Sequence, residues 1–135
     1  MNTMTMQESV AARNAGLDAK WTVIGASPRL QLFTGAPPAN CAAAATGTQL
    51  VNTVLPATPM NAAASGQKTI NGPWPFTGIA GGVAGYFRIL DNAGTTCHRQ
   101  GTVGTSGADM IVDNTNIANG QNGNVTQFTI TGGNA

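Results

Sequence analysis

Charge is what this chain has least of. Only 8% of its 135 residues are Asp, Glu, Lys or Arg, where an ordinary soluble domain carries roughly 25%. The six basic residues form no cluster, and the formal net charge is +1. Counterion-release binding to nucleic acid needs several cations on one face, and an anionic membrane surface needs a basic patch. Neither nucleic acid nor membrane is therefore expected as a partner. One histidine and a few carboxylates leave almost no equipment for acid–base catalysis.

Aromatic residues are also scarce, at 5%, and Trp21, Trp74, Phe76 and Tyr86 are too separated for a base-stacking platform. No apolar run approaches the ~20 residues that span a bilayer. Met1 to Val10 lacks a basic n-region and an apolar h-region, so no secretory signal is read and a soluble protein made in a cytosol is expected. There are two cysteines, Cys41 and Cys97. Thiols so far apart are no disulfide scaffold. They are read as small semi-apolar residues left reduced, with a bridge open because spacing in sequence does not give separation in space.

What replaces the charge is Thr, Asn, Gly, Ser and Ala along nearly the whole length. Hydrophobic content is 41%, close to the globular norm, so the chain has material for a core and is not disordered by composition. A surface of neutral hydroxyls and amides has little repulsion to keep copies apart. It points to a protein that packs against neighbours in an assembly.

Thr5 and Glu8 have the capping-box spacing. Met6, Val10, Leu17, Trp21 and Ile24 recur on one helical face, which predicts an amphipathic helix over about residues 5 to 22, stopped by Gly25 and Pro28. After Pro28 the period becomes two. Leu30 and Leu32 alternate with polar neighbours up to Gly35-Ala36-Pro37-Pro38. Leu50 to Leu55 is a second strand. Residues 56 to 77 hold four prolines, which argue against long regular elements, though Lys68 to Ile70 suits a short strand. The Gly-rich run 78–85 reads as a strand with close backbone neighbours. It leads into Tyr86 to Leu90, then a turn at Asp91-Asn92-Ala93-Gly94 and a hairpin partner from Thr95 to Val103. Asp109 to Ile117 and Val125 to Thr131 form a further pair, with Phe128 and Ile130 turned inward. The expected architecture is mainly β: a single-domain antiparallel β-sandwich or barrel-like (jelly-roll-like) fold with an N-terminal α-helix. Residues 1–28 are the helix and its connector, and residues 29–135 the β-domain.

Several stretches resemble small structural proteins of tailed phages and prophages. Leu30-Gln31-Leu32-Phe33-Thr34-Gly35-Ala36-Pro37-Pro38 is similar to their L-x-I-Y-x-G-x-x-P segment, and Tyr86-Phe87-Arg88-Ile89-Leu90-Asp91 to their W-F-R-I-Y-D. Residues 101–110, the most specific piece, resemble G-S-V-G-T-S-G-A-D-L. Residues 44–51, Leu55-Pro56 and the closing strand Phe128 to Thr131 fit as well, so the resemblance runs from about Ala11 to Thr131. Cys97-His98-Arg99 and Trp74 depart from it. The resemblance implies a virion protein without enzymatic activity. A capsid decoration (cement) protein is the first choice, with the major capsid protein or tail proteins as partners and a homo-oligomer as the expected state. A tail- or fibre-associated component is the alternative, and a host-surface carbohydrate-binding module the third. All place the chain in a virion assembled in a bacterial cytoplasm.

The residues that could carry chemistry fail on geometry. Cys97 and His98 are strand neighbours and point to opposite faces, and one His with two Cys matches no zinc pattern. Asp109 and Asp113 on one strand would stand about 13 Å apart, beyond the ~5–9.5 Å of glycosidase pairs; both are expected at strand ends instead, with Asp109 hydrogen-bonded to its loop's backbone. The 78–85 run lacks the Gly-Lys-Ser/Thr ending of a phosphate loop. No catalytic residue, metal ligand or cofactor is assigned. The candidate interface residues are Met6, Val10, Leu17 and Trp21 on the helix, and Trp74 and Phe76 in the Pro-rich segment. Trp74, held extended between Pro73 and Pro75, is the expected anchor in a neighbour's pocket.

Overall fold

A computed structural model of the chain describes residues 6–133. One helix, α1 (Val10–Ile24), precedes nine strands: β1 (Arg29–Thr34), β2 (Gln49–Val54), β3 (Gln67–Thr69), β4 (Trp74–Thr77), β5 (Gly82–Leu90), β6 (Cys97–Gly104), β7 (Met110–Val112), β8 (Asn116–Ile117) and β9 (Asn122–Thr131). The fold is mainly β, a curled mixed sheet forming a half-barrel, as the alternating patterns predict. Its strand order is β2-β1-β5-β6-β7-β9-β3, with β4 also on β9 and β8 on β5.

The helix starts later than the capping-box spacing suggests. Thr5 lies outside the described residues, and Ser9 is the cap, its Oγ accepting from the Ala12 N–H at 3.1 Å. A start at Val10 leaves Leu17, Trp21 and Ile24 as the buried stripe, at positions i, i+4 and i+7. Met6 and Val10 fall away from it and are exposed.

Leu30 and Leu32 on β1 stand opposite Ile89 and Phe87 on β5, and all four are buried. Phe128 and Ile130 join them from β9, while Gln127 and Thr129 face outward. The hairpin at Asp91 forms as expected: Gly94 takes φ +75°, and the Asp91 carboxylate accepts from the Thr95 and Thr96 N–H groups. Those bonds hold the Asp91 carboxyl below the usual carboxylate range.

Two departures reshape the second half. The stretch from Asp109 to Ile117 is two short strands, of which β8 pairs with β5. β7 runs parallel to β6, not antiparallel, over only two residue pairs, Val103 with Met110 and Gly104 with Ile111. The Pro-rich segment also holds a strand that the prolines hide, β4, antiparallel to β9 from Trp74–Val125 to Thr77–Asn122.

The sheet has a second covered face. Tyr86, Arg88 and Leu90 alternate with Phe87 and Ile89 on β5, and the segment 35–48 between β1 and β2 lies over them. Tyr86 Oη–H donates to the Thr46 carbonyl at 2.6 Å and accepts from the Thr46 N–H at 2.9 Å. Arg88 donates from Nη2 to the Ala43 carbonyl at 2.7 Å, and Gln100 from Nε2 to that of Pro38 at 2.7 Å. Cys41 and Cys97 are joined in a disulfide, with Cα atoms 5.3 Å apart. The expectation of reduced thiols is therefore corrected: the fold brings segment 35–48 onto β6.

Candidate interaction surface

The helix and the Pro-rich segment do not present the surface expected of them. Leu17 and Trp21 are part of the core, as are Trp74 and Phe76. Trp74 is 0% exposed; its ring packs against Phe128 with centroids 5.8 Å apart, and its Nε1–H donates to the Pro59 carbonyl at 2.9 Å. An anchor for a neighbour's pocket must project from the domain, so the anchor role for Trp74 is overturned. Burial of a large ring with its one polar atom satisfied is worth more to the fold than exposure. Of the six sequence candidates, only Met6 and Val10 are exposed.

Several ionisable groups are turned inward or tied to backbone, while Glu8 and Lys20 are exposed. Lys68, 7% exposed at its side chain, donates from Nζ to Asp18 Oδ1 at 2.7 Å. That bond, with the Ala63 N–H at 3.0 Å, holds the Asp18 carboxyl below its usual range. Arg88 is buried under segment 35–48. Asp109 Oδ2 accepts from the Thr102 N–H and hydroxyl at 2.9 and 3.1 Å, and Asp113 Oδ1 accepts from the Asn124 N–H at 3.1 Å. Both aspartates bond the backbone of neighbouring strands, β6 for Asp109 and β9 for Asp113, rather than the loop backbone that the sequence predicts for Asp109. Among the described residues, no three His, Cys, Asp or Glu side chains are grouped to hold a metal ion, and no helix is long and apolar enough to cross a membrane.

The outer surface carries few charges, and Glu8, Lys20, Asp109 and Asp113 are among the exposed residues. One recess is a groove between the edge of β2 and β4, lined by Asn52, Thr53, Pro75, Thr77, Asn122 and Asn124 with Phe76 and Ile79. No charged side chain lines it. The Ile79 N–H donates to the Leu50 carbonyl at 2.8 Å and pins one end of the recess. Val54 and Ile79, each 48% exposed, are apolar points on this side of the domain. Sequence reading missed them: Val54 shares the parity of the buried Leu50 on β2, and the register shift at Leu50 is what separates the two.

Against protein-family models, curated proteins and solved structures, the chain finds no match. A neutral face rich in hydroxyl and amide groups contacts other proteins through many short hydrogen bonds and close packing, with little electrostatic steering.

Proposed function

We propose that this chain is a non-enzymatic structural protein of a tailed-phage particle, a decoration protein that cements the capsid by packing across subunit boundaries. The observation that carries the reading is the scarcity of charge, 8% of the residues with a net charge of +1. The chain has few ionisable residues, and Lys68, Arg88, Asp18, Asp91, Asp109 and Asp113 all have partners within the domain. Copies with such surfaces can stand side by side without repulsion. Each contact is modest, and repetition over a lattice makes attachment firm.

The ties on segment 35–48 suit the same role, because a rigid domain loses little entropy on docking. The Cys41–Cys97 bond suits a protein that leaves the reducing cytoplasm inside a released particle. Copy number in purified virions tests the reading, by quantitative staining against the major capsid protein. A ratio of one per capsid subunit, or one per few, is expected. A ratio of a few per cent would move the protein to the tail, and absence from particles would sink the virion reading.

A further inference from the structure

β7 is shorter than the space it occupies. It pairs with only Val103 and Gly104 at the end of β6, and with Val125 to Phe128 of β9 on its other side. Before Met110 the chain turns out of the sheet through Gly107, whose φ is +65°. β6 nevertheless runs back to Cys97 and β9 runs on to Thr131. The two strands therefore flank a slot in line with β7, one strand wide, or about 10 Å between their axes. The slot measures about 500 Å³, with Phe87, Phe128 and Ile130 on its core side.

Strand hydrogen bonds alternate sides, and two bonds fix the phase here. The Thr102 N–H points to the β7 side, where Asp109 accepts it, so the backbone of Gln100 faces the slot as well. The Gly132 N–H donates to the Gly66 carbonyl on the β3 side, which leaves the backbone groups of Thr129 and Thr131 facing the slot. Both walls thus offer unpaired strand edges.

Arg99 stands on β6 opposite Ile89, on the core face of the sheet, and lines the slot. It is half-buried. Among the described residues no carboxylate lies within 4.0 Å of its guanidinium. Asp109, at the far end of the slot, is already held by Thr102. A half-buried guanidinium without a counter-ion is a ready partner for a carboxylate brought in by another chain.

We propose that the slot takes an extended segment of a partner protein as an inserted strand in line with β7, with an Asp or Glu of that segment paired to Arg99. This is β-augmentation with one charge-assisted contact for specificity. The aspartates of a second copy are poor donors, because Asp18, Asp91, Asp109 and Asp113 are engaged within their own domain. The inference rests on the assembly reading only for the partner being a neighbouring protein of the particle.

The test pans a random heptapeptide display library against the full-length, oxidised protein. The enriched peptides are expected to carry an Asp or Glu among β-branched and aromatic residues. The best of them, added to ¹⁵N-labelled protein, should shift the amides of Gln100, Thr129 and Thr131. Arg99→Gln should weaken binding at least about tenfold without lowering the melting temperature, and the peptide's acid-to-amide variant should lose no further affinity on that mutant. No enrichment, peptides without an acidic residue, shifts elsewhere, or equal affinity for Arg99→Gln would overturn the proposal. Concentration-dependent shifts of the same amides without peptide would also overturn it, by assigning the slot to a second copy. Each of these failures leaves copy number in virions untouched, so the two readings fall separately.

Discussion

Cys97 meets Cys41 because β6 changes face one residue before the bond. Ile89 of β5 stands opposite Arg99, but Leu90 stands opposite Cys97, so His98 is the extra residue of a bulge. Without that shift Cys97 would share the core face with Arg99. With it, Cys97 joins Arg88 and Gln100 on the face that segment 35–48 covers, and the two sulfurs bond across 56 residues of sequence. Bulges commonly re-aim a side chain in this way.

Reduction should therefore loosen segment 35–48 and lower stability. Chain-entropy arguments give about 4 kcal/mol for closing a loop of this length. The Tyr86, Arg88 and Gln100 bonds to the same segment remain after reduction, so we expect a loss of about 2–4 kcal/mol. Urea unfolding with and without reductant checks this, and Cys41→Ser/Cys97→Ser should match the reduced protein.

Trp74→Ala should unfold the domain or come close. Trp74 is fully buried, and truncating such a ring costs about 3–5 kcal/mol, while the Pro59 carbonyl loses its donor. Trp74→Phe separates the two effects, since it keeps most of the packing and loses only the hydrogen bond, about 1 kcal/mol. Chemical denaturation of the three proteins checks the order wild type, Phe, Ala. A Trp74→Ala domain as stable as wild type would mean the ring lies outside the core.

The elements that were legible in the sequence are those whose own residues set the pattern. Leu30 and Leu32 alternate, Phe128 and Ile130 alternate, and the Asp91 turn closes through its own carboxylate. β4 was not legible because Pro73 and Pro75 mask a correct period of two, in which Trp74 and Phe76 are buried and Pro75 and Thr77 exposed. The Gly78 N–H donates to the Gln121 carbonyl, so alternation puts the Trp74 and Phe76 backbone on β9. Pro75 then faces away from the ladder, where its missing N–H does no harm. The parallel β6–β7 pair was hidden by its brevity, because parallel neighbours normally need a crossover of a dozen or more residues. The disulfide and the slot depend on a bulge and on a strand that stops early, and neither leaves a local signature. Of the candidate surface, neutrality was legible from composition, while its location was not.

Gly85→Ala should cost about 2–3 kcal/mol, although alanine is a small change. A Cβ at Gly85 would run into the carbonyl of Gly35, backbone against backbone. Gly35 itself holds φ +86° just past the β1 irregularity between Phe33 and Thr34, so neither chain can retreat cheaply. Gly81→Ala is the control: its nearest neighbour, the Ile117 carbonyl, stands 3.8 Å from such a methyl. Thermal melts of the two variants should differ by several degrees.

Asp18→Asn should destabilise the protein at neutral pH and not at low pH. Lys68 is nearly buried and Asp18 half-exposed, so removing the carboxylate strands a buried ammonium at a cost of about 1–3 kcal/mol, reduced by solvent access to the partner. The Asp18 carboxyl is held below its usual range by Lys68 and the Ala63 N–H. A depressed carboxylate contributes stability that is fully present above its unfolded value of about 3.9 and is lost as pH falls through its lower folded value. Wild type and Asp18→Asn should therefore differ most near pH 7 and converge as pH falls through the lowered folded value of Asp18. Asp91, depressed by its own turn, keeps some acid sensitivity in both proteins. Lys68→Met in the Asp18→Asn background should recover much of the loss, because it removes the unpaired charge and keeps the buried stem. Urea midpoints from pH 2.5 to 7 measure all three, and a gap that persists at the acid end would assign the effect to packing.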